Sequence, residues 1–477
     1  MANINKISVR AELDRLKKEF QSQTEKGSLS NENRLLMQGV FTLLELIISI
    51  FLEKKTAKTD KNSSKPSSQT DKDESALEHS GSKGKGKNEL NESAYNTRTS
   101  ETTTVSKVSV CNVCGEDISG TPCLQHEKRT KIDIVFEKVV VNVVAQIKTC
   151  PACDSQTKGS FPADMHGPLQ YGNGLKAYVI SLLVCQMVSL NRVQKSIKAM
   201  IGQAISEATL LKFVLRLHQA LASWEHDAIE ELLQSSAINV DETSLRVDKN
   251  NHWIHVYAAG DTTLKQLHRR RGKEAIEHIN IIPRYSGVII HDCWASYLTY
   301  DHCGHGLCGS HLLRELTFIV DSNEYRWAAD MKRLLQKTCK KVSMSKDKIL
   351  TEKEYKNLQK RYRTIITQGD KELPEIPEKP SGQRGKMAKS DAHNLWERLK
   401  TYEEAVLLFA KNGHVSFTNN RAERDLRMSK VKQKVSGCFR TVEYAEAYCR
   451  ISSYLQTMAN KGHNPLIAIQ MALAGKI

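Results

Sequence analysis

The stretch Ala237-Ile-Asn-Val-Asp-Glu-Thr-Ser-Leu-Arg-Val247 constrains this chain more than any other. A short apolar run, Ile238 to Val240, delivers Asp241 and Glu242 into the middle of a segment that reads as a buried strand. A carboxylate withdrawn from water is costly unless it is paired, hydrogen-bonded or bound to a metal. A second apolar run, Gly287-Val-Ile-Ile-His291, ends in the same way on Asp292. Between them, two alternating segments (253–259 and 263–268) meet at Gly260-Asp261 as the arms of a hairpin do. Three strands, a helix and a fourth strand beside the first would bring Asp241 and Asp292 together. Far downstream, Asn419-Asn-Arg-Ala-Glu-Arg-Asp-Leu-Arg427 places a third carboxylate, Glu423, on a helix flanked by arginines. Three carboxylates at one edge of a sheet outline a site for two hard cations.

A chain of 477 residues can build a sizeable core and suggests about three domains. Its formal charge of +16 favours a polyanionic partner, with nucleic acid ahead of an anionic membrane. Hydrophobic residues at 40% are slightly scarce for a fully globular chain, which points to solvated segments. The longest apolar run, 40–52, contains Glu45 and is too short to span a bilayer, so no membrane partner is expected. Of twelve cysteines, five fall between Cys111 and Cys153 and the rest are scattered. No secretory leader is read ahead of them, so a reducing cytoplasm is the expected compartment.

Taken in order, residues 1–52 read as N-terminal helices with a self-association role. Leu13, Leu16 and Phe20 share a face, Gly27-Ser-Leu-Ser30 interrupts, and the run 43–52 is apolar almost all round. Residues 53–105 form a basic linker, too poor in large apolar side chains to fold. Within it, Gly81-Ser-Lys-Gly-Lys-Gly-Lys87 would add attraction to phosphate. Residues 106–160 carry Cys111-x2-Cys114 and Cys150-x2-Cys153, two thiolate knuckles with the spacing of a structural Zn²⁺ site. The alternating segment 131–148 is expected to form a hairpin between them, as in a zinc ribbon; Cys123 and His126 are substitute ligands whose spacing fits worse. Residues 165–235 read as helices, with one over 175–190, Asn191 as the next cap, a tight turn at Ile201-Gly-Gln-Ala204, and Ser206 capping a long helix toward Glu230. Two helices about a short Gly-containing turn suit a helix-turn-helix-like DNA-binding domain, and a helical scaffold without DNA contact is the alternative.

The βββαβ order, with an acid on its first and fourth strands, fits a ribonuclease H-like catalytic domain over 236–440. The fold class is therefore α+β and multidomain. A Lys-rich helical insertion occupies about 321–413, broken at Leu373-Pro-Glu-Ile-Pro-Glu-Lys-Pro380 and Ser381-Gly-Gln-Arg-Gly385. Arg269-Arg-Arg271 could face a phosphate backbone or a solvated turn. His302, Cys303, His305, Cys308 and His311 crowd one stretch, where a structural role is preferred to metal binding. Arg421, Arg424 and Arg427, then Lys430, Lys432 and Lys434, surround Glu423 and could hold a DNA backbone. C-terminal helices fill 441–477, the last of them capped by Asn464-Pro465.

These residues also carry a resemblance. Val240-Asp-Glu-Thr243, His291-Asp-Cys-Trp-Ala-Ser-Tyr297 and Asn419-Asn-Arg-Ala-Glu-Arg-Asp-Leu-Arg427 resemble the three acidic motifs of the insertion-sequence-66 family of DDE transposases. The similarity continues through Met428-Ser-Lys-Val-Lys-Gln-Lys-Val-Ser-Gly-Cys-Phe-Arg440 and covers Tyr171-Gly-x-Gly-Leu-Lys176, Ile205-Ser-x-x-Thr209, Cys308-x2-His311-x2-Arg314 and Lys61-Asn-Ser-Ser-Lys-Pro-Ser-Ser68. The resemblance implies strand cleavage and strand transfer at transposon ends, with Asp241, Asp292 and Glu423 holding two Mg²⁺ (or Mn²⁺). It also implies terminal inverted repeats and target DNA as partners, a homo-oligomer, small accessory proteins of the same element, and a bacterial, nucleoid-associated location. Two alternatives stay open: an inert DNA-binding regulator derived from such an enzyme, and a ribonuclease H-like nuclease without strand transfer. Two positions depart from the pattern. Thr418 stands where many relatives carry an acid, and Cys293 stands where glycine is common, so a strained turn is expected after Asp292.

Overall fold

The computed structural model describes residues 6–25, 33–34, 37–38, 40–41, 102–134, 137–376 and 389–476. The apolar run 43–52, the interruption at 27–30, the linker through 101, and positions 377–388 of the Pro/Gly-rich break lie outside the described residues. Helix α1 (Lys6–Glu25) is the first element, and Phe20 meets Phe41 edge to face at 5.5 Å. The chain divides into two compact units, one of residues 81–285 with 422–477, the other of 1–80 with 286–421. The division falls inside the segment expected to be a single catalytic domain.

The unit of 81–285 and 422–477 begins with the two knuckles. Around the second of them, β1 (Ile147–Thr149) pairs antiparallel with β2 (Gln156–Lys158). This corrects the expected hairpin over 131–148, whose described residues before Ile147 have no strand partner and are mostly exposed. Alternation alone could not form a ladder there, because no apolar layer covers either face. Helix α2 (Asn173–Ile180) runs into a single π turn, Ser181–Cys185, and Met187 takes a left-handed φ of 56°. The helix expected to reach 190 therefore stops short. Ser189, rather than Asn191, stands at the cap position of α3 (Leu190–Ile201), and Gly202 ends that helix at φ 67°. Ser206 caps α4 (Glu207–Ala220) by accepting the Thr209 N–H, as expected. That helix breaks at Leu221, where α5 (Ala222–Leu233) starts.

Strands β3 (Ala237–Val247), β4 (Asn250–Ala259) and β5 (Thr262–His268) form an antiparallel meander. The two-residue turn Asp248-Lys249 has φ of 44° and 63°, the positive pair that the twist of a tight hairpin requires. Helix α6 (Lys273–Ile279) follows. In the other unit, β6 (Val288–His291) pairs in parallel with β7 (Gly304–Leu307), and α7 (Gly309–Asn323) leaves the end of β7. Helices α8 (Arg326–Met344), α9 (Glu352–Glu372), α10 (Asp391–Thr401) and α11 (Glu403–Leu407) occupy the expected insertion. They pack around Trp327, Leu335, Tyr362 and Leu399, all fully buried. Thr351 and Glu354 form a reciprocal capping box at the start of α9, and Gly369 leaves room for the Trp396 ring.

The chain then returns through α12 (Asn420–Ser436), α13 (Val442–Asn460) and α14 (Pro465–Leu473). Thr441 caps α13, and Asn464 caps α14 by accepting the Leu466 N–H at 2.8 Å. One continuous core joins Val179, Val193, Leu210 and Leu217 to Leu245 and Val256 of the meander and to Ala422, Tyr448, Ile451 and Ile469. The helices of 165–235 and 441–477 are thus not separate from the strands between them.

His255 is buried on β4, with Nε2 3.4 Å from the Arg270 carbonyl, and burial holds its pKa down to about 4. Burial likewise holds His291 down to about 3. In the unfolded chain a histidine takes up its proton near pH 6.5, so stability present above that pH is lost as pH falls toward 4. Each pH step in that window costs about 1.4 kcal/mol per histidine. Thermal unfolding followed between pH 7.5 and 4.5 should show this loss, and His255→Gln should flatten the profile by roughly 3 kcal/mol across the window.

Candidate active site

Asp241 sits half-buried in the middle of β3, paired in register with Val256, and its Oδ1 accepts the Glu242 N–H at 2.8 Å. Its neighbour Glu242 points the other way and is buried. Arg271 donates to Glu242 through Nε (2.8 Å) and a second nitrogen (2.6 Å), with its guanidinium over the Trp253 ring. Glu242 is therefore neutralised within the fold. Of the expected arginine triplet, Arg269 and Arg270 are exposed, and Arg270 lies 3.8 Å from Glu274.

Glu423 lies in the first turn of α12, where the helix dipole favours a carboxylate. The helix buries Ala422, Asp425, Leu426 and Ser429, at the i, i+3, i+4, i+7 spacing of a single face. Asp425 accepts from Thr263 Oγ1 of β5 at 2.8 Å. Lys430, two turns beyond Glu423 on the same face, donates to the carbonyl and hydroxyl of Ser244 on β3 (3.0 and 3.1 Å). Burial lowers the Lys430 pKa, and the charge of Asp241 opposes that shift. One face of α12 is thereby turned toward the strand that carries Asp241.

Asp292 belongs to the other unit. It follows the last residue of β6, and its Oδ1 accepts the Trp294 N–H at 3.0 Å. The turn is built on Cys293, whose φ of 73° is left-handed, so the position where glycine is common keeps a glycine's conformation with a side chain present. Two histidines support it. The Cys293 N–H donates to His291 Nδ1 at 3.1 Å, which leaves His291 Nε2 as the protonated nitrogen, 3.2 Å from His305 Nδ1. His305 Nε2 then faces the Tyr300 carbonyl at 3.3 Å. Both rings are buried enough to lower their pKa values, so the chain of neutral tautomers is fixed. Burial also pushes the Cys293 thiol up to about 11.

Sequence reasoning missed Arg398. This residue of α10 donates to both oxygens of Glu315 on α7 at 2.9 Å, and its charge acts on Cys293 and Asp292. Nothing in the pattern of the insertion marks one arginine in advance, because its partner Glu315 is 83 residues away. Cys308 has an equally specific place, since its buried sulfur accepts the Asn419 N–H at 3.1 Å. The adjacent Gly309 N–H donates to the Phe417 carbonyl at 2.7 Å, and a Cβ on Gly309 would collide with the Phe417 ring. The cysteine of this His/Cys-rich stretch thus anchors the residues that lead into α12.

Arg424, Arg427 and Lys434 are exposed. Lys430 and Lys432 are not. Lys432 donates to the Leu183 carbonyl at 3.3 Å, and burial lowers its pKa. The ammonium of each of these two lysines is thus occupied inside the unit.

In each knuckle the turn is closed by backbone bonds of the same pattern. Cys111 N–H donates to the Glu116 carbonyl and Gly115 N–H to that of Cys111; Cys150 N–H donates to Ser155 and Asp154 N–H to Cys150. Hydrogen bonds from the backbone of Cys114 and Val113, and from the Cys114 thiol, lower the Cys111 pKa. The Ser155 hydroxyl, 3.0 Å away, does the same for Cys153. Thiols biased toward thiolate in matched turns suit a soft cation such as Zn²⁺. Cys123 Sγ lies 3.7 Å from His126 Nε2, an exposed pair of its own.

A family model described as Transposase IS66 family matches residues 168–447, more than half of the chain. No curated protein matches it. Among the described residues no helix is long and apolar enough to cross a membrane.

The geometry of the Asp292 turn sets a ranking. A Cβ in the left-handed region costs about 1–2 kcal/mol, and a β-branched side chain costs more. Cys293→Gly should therefore unfold within a few degrees of the parent chain, and Cys293→Val well below it, in thermal melts of both. Equal midpoints would show that the turn carries no such constraint.

Proposed function

Because the chain belongs to the IS66 family of transposases, we propose that Asp241, Asp292 and Glu423 are the carboxylates of a two-cation phosphoryl-transfer site in a ribonuclease H-like domain. The observation that carries the reading is the placement of α12. The residues Ala422, Asp425, Leu426 and Ser429 fix its rotation, and Lys430 ties the face of Glu423 to the strand of Asp241. Three oxygen-donor carboxylates suit a hard cation such as Mg²⁺ or Mn²⁺. Bound cations there would lower the pKa of an attacking oxygen and neutralise charge at phosphorus.

The side chains of the site have separate tasks. Asp241 and Asp292 are held by the backbone N–H bonds to one of their oxygens, so their carboxylates are oriented before substrate arrives. The exposed Arg424, Arg427 and Lys434, with Arg421, hold the phosphates of a transposon end. A water oxygen attacks the phosphorus of the scissile bond and gives up a proton, the bond to the 3′ oxygen breaks, and the leaving 3′ oxygen takes up a proton. That 3′-hydroxyl then attacks a phosphorus of target DNA, loses its proton, and expels the target's own 3′ oxygen, which takes up a proton in turn. Helices α3 and α4, about the Gly202 turn, are the elements that read the terminal repeat, and the four knuckle cysteines hold Zn²⁺.

Asp241→Asn, Asp292→Asn and Glu423→Gln should each lower nicking of an end-containing duplex by at least about a thousandfold with Mg²⁺ or Mn²⁺. Binding to the same duplex, followed by mobility shift, should persist. Full nicking by any one of the three would remove that residue from the site. A joined donor–target product separates strand transfer from simple nuclease action.

For the knuckles, protein purified without chelator should contain one zinc per chain by elemental analysis. Cys111→Ser or Cys150→Ser should lose it and expose 108–156 to protease while the strands stay folded. A parent chain without zinc would sink this assignment.

A further inference from the structure

With Lys430 and Lys432 occupied inside their unit, the excess positive charge of the chain must be sought elsewhere. Residues 326–372, which form α8, α9 and the connection between them, hold 14 Lys and Arg against 6 Asp and Glu. That excess of 8 is half of the whole chain's +16, carried by about a tenth of its length. The distribution of partners makes it more pronounced. Asp330 is taken by Arg326 and Arg333, Glu352 by Lys356, and Glu354 by Lys341 and the α9 cap. Glu372 accepts the Trp327 N–H and the Gln368 amide. Most of the acids thus serve caps and pairs, and seven exposed cations keep no ion pair among the described residues: Lys337, Lys340, Lys346, Lys353, Lys360, Arg361 and Lys371.

Their placement is ordered. On α9, Lys353, Lys360 and Lys371 recur at i, i+7 and i+18, one line along a helix of 21 residues, about 30 Å long. Lys356 and Arg363 flank that line, and with Gln359, Thr364 and Thr367 they edge a shallow groove. The opposite face of α9 buries Tyr355, Leu358, Tyr362 and Ile366, so the helix cannot turn its cations away from solvent. On a rigid helix such a line meets the regular spacing of phosphates, whereas a run of lysines in a mobile loop meets it only at an ordering cost.

Resting on the transposase reading, we infer that the α8–α9 pair of the insertion is a docking surface for the phosphate backbone of duplex DNA, independent of base sequence. Charge complementarity selects the partner. The surface offers no aromatic platform for unpaired bases, which disfavours single strands, and no large apolar stripe that would enter a bilayer.

The test uses the full chain and a 30-base-pair duplex of random sequence, with binding measured by fluorescence anisotropy at several salt concentrations. The variant Lys353→Gln/Lys360→Gln/Lys371→Gln should lower the slope of log affinity against log salt by about 2 to 3, near 0.9 per phosphate contact. At 0.1 M salt it should bind about tenfold or more weakly. Lys→Arg at the same three positions should keep the parent slope, which separates charge from folding. A control that removes the same charge elsewhere, Lys249→Gln/Lys461→Gln/Lys476→Gln, should leave the slope within about 0.5 of the parent. A Gln variant with the parent slope, or a control that falls equally, overturns the docking surface and leaves the transposase reading standing. A parent chain that binds no duplex overturns both. Loss of binding to phosphatidylglycerol vesicles, with an unchanged DNA slope, reassigns the surface to a membrane.

Discussion

The edge of a three-stranded meander is clasped by a helix, and much of the unit of 81–285 and 422–477 depends on that clasp. Within this meander β5 pairs only with β4, so its outer N–H and C=O groups need partners that are not water. Helix α13 supplies them from side chains. The Thr263 N–H donates to Thr457 Oγ1 at 3.0 Å, Thr457 donates back to the Thr263 carbonyl at 3.2 Å, and the Lys265 N–H donates to Ser453 Oγ at 2.8 Å. Lys265 itself is fully buried, with Nζ 3.4 Å from Ser452 Oγ; burial lowers its pKa and the charge of Asp425 opposes the shift. A lysine amine taken out of water needs polar partners in fixed places, so this network specifies one docking of α13 on β5 where apolar packing alone would allow several.

The clasp reaches the candidate chemistry through Asp425. Its carboxylate accepts from Thr263 in the same network and fixes the roll of α12. Once that roll is set, the positions of Glu423, Lys430 and the exposed arginines follow from helical geometry. Lys430 and Lys432, which a sequence motif groups with Lys434, fall on sides of the helix that meet protein. A charge on a helix beside a candidate site is therefore not automatically a charge offered to substrate.

The unit of 286–421 solves a different problem, that of holding a carboxylate on a turn. Cys293 is kept in a left-handed conformation by a neutral histidine whose tautomer is dictated by two neighbours. Beside it one guanidinium nitrogen of Arg398 donates to both oxygens of Glu315, a partly buried pair that adds rigidity more than net stability. Such a turn places Asp292 with little freedom, the kind of preorganisation the proposed site would need.

Much of this was legible in the residues. The alternation of the three strands, the Gly260 and Asn464 signals, the Ser206 cap and the helical character of the insertion follow from local periods and local hydrogen bonds, which a sequence displays directly. The two knuckles were legible for the same reason, since each closes within six residues. The hairpin expected over 131–148 was not formed, because alternation is only permission for a strand and a covering layer grants it. The early end of α2 and the break at Leu221 also departed from the expected helices; α2 packs against α14, and α4 packs against both α13 and α14. What the sequence alone determined, then, is which elements carry Asp241, Asp292 and Glu423, the acids proposed for the site. Which cations face solvent, which arginine stands beside Asp292, and why Lys265 can be buried were decided only by tertiary structure, since each depends on a partner tens to hundreds of residues away.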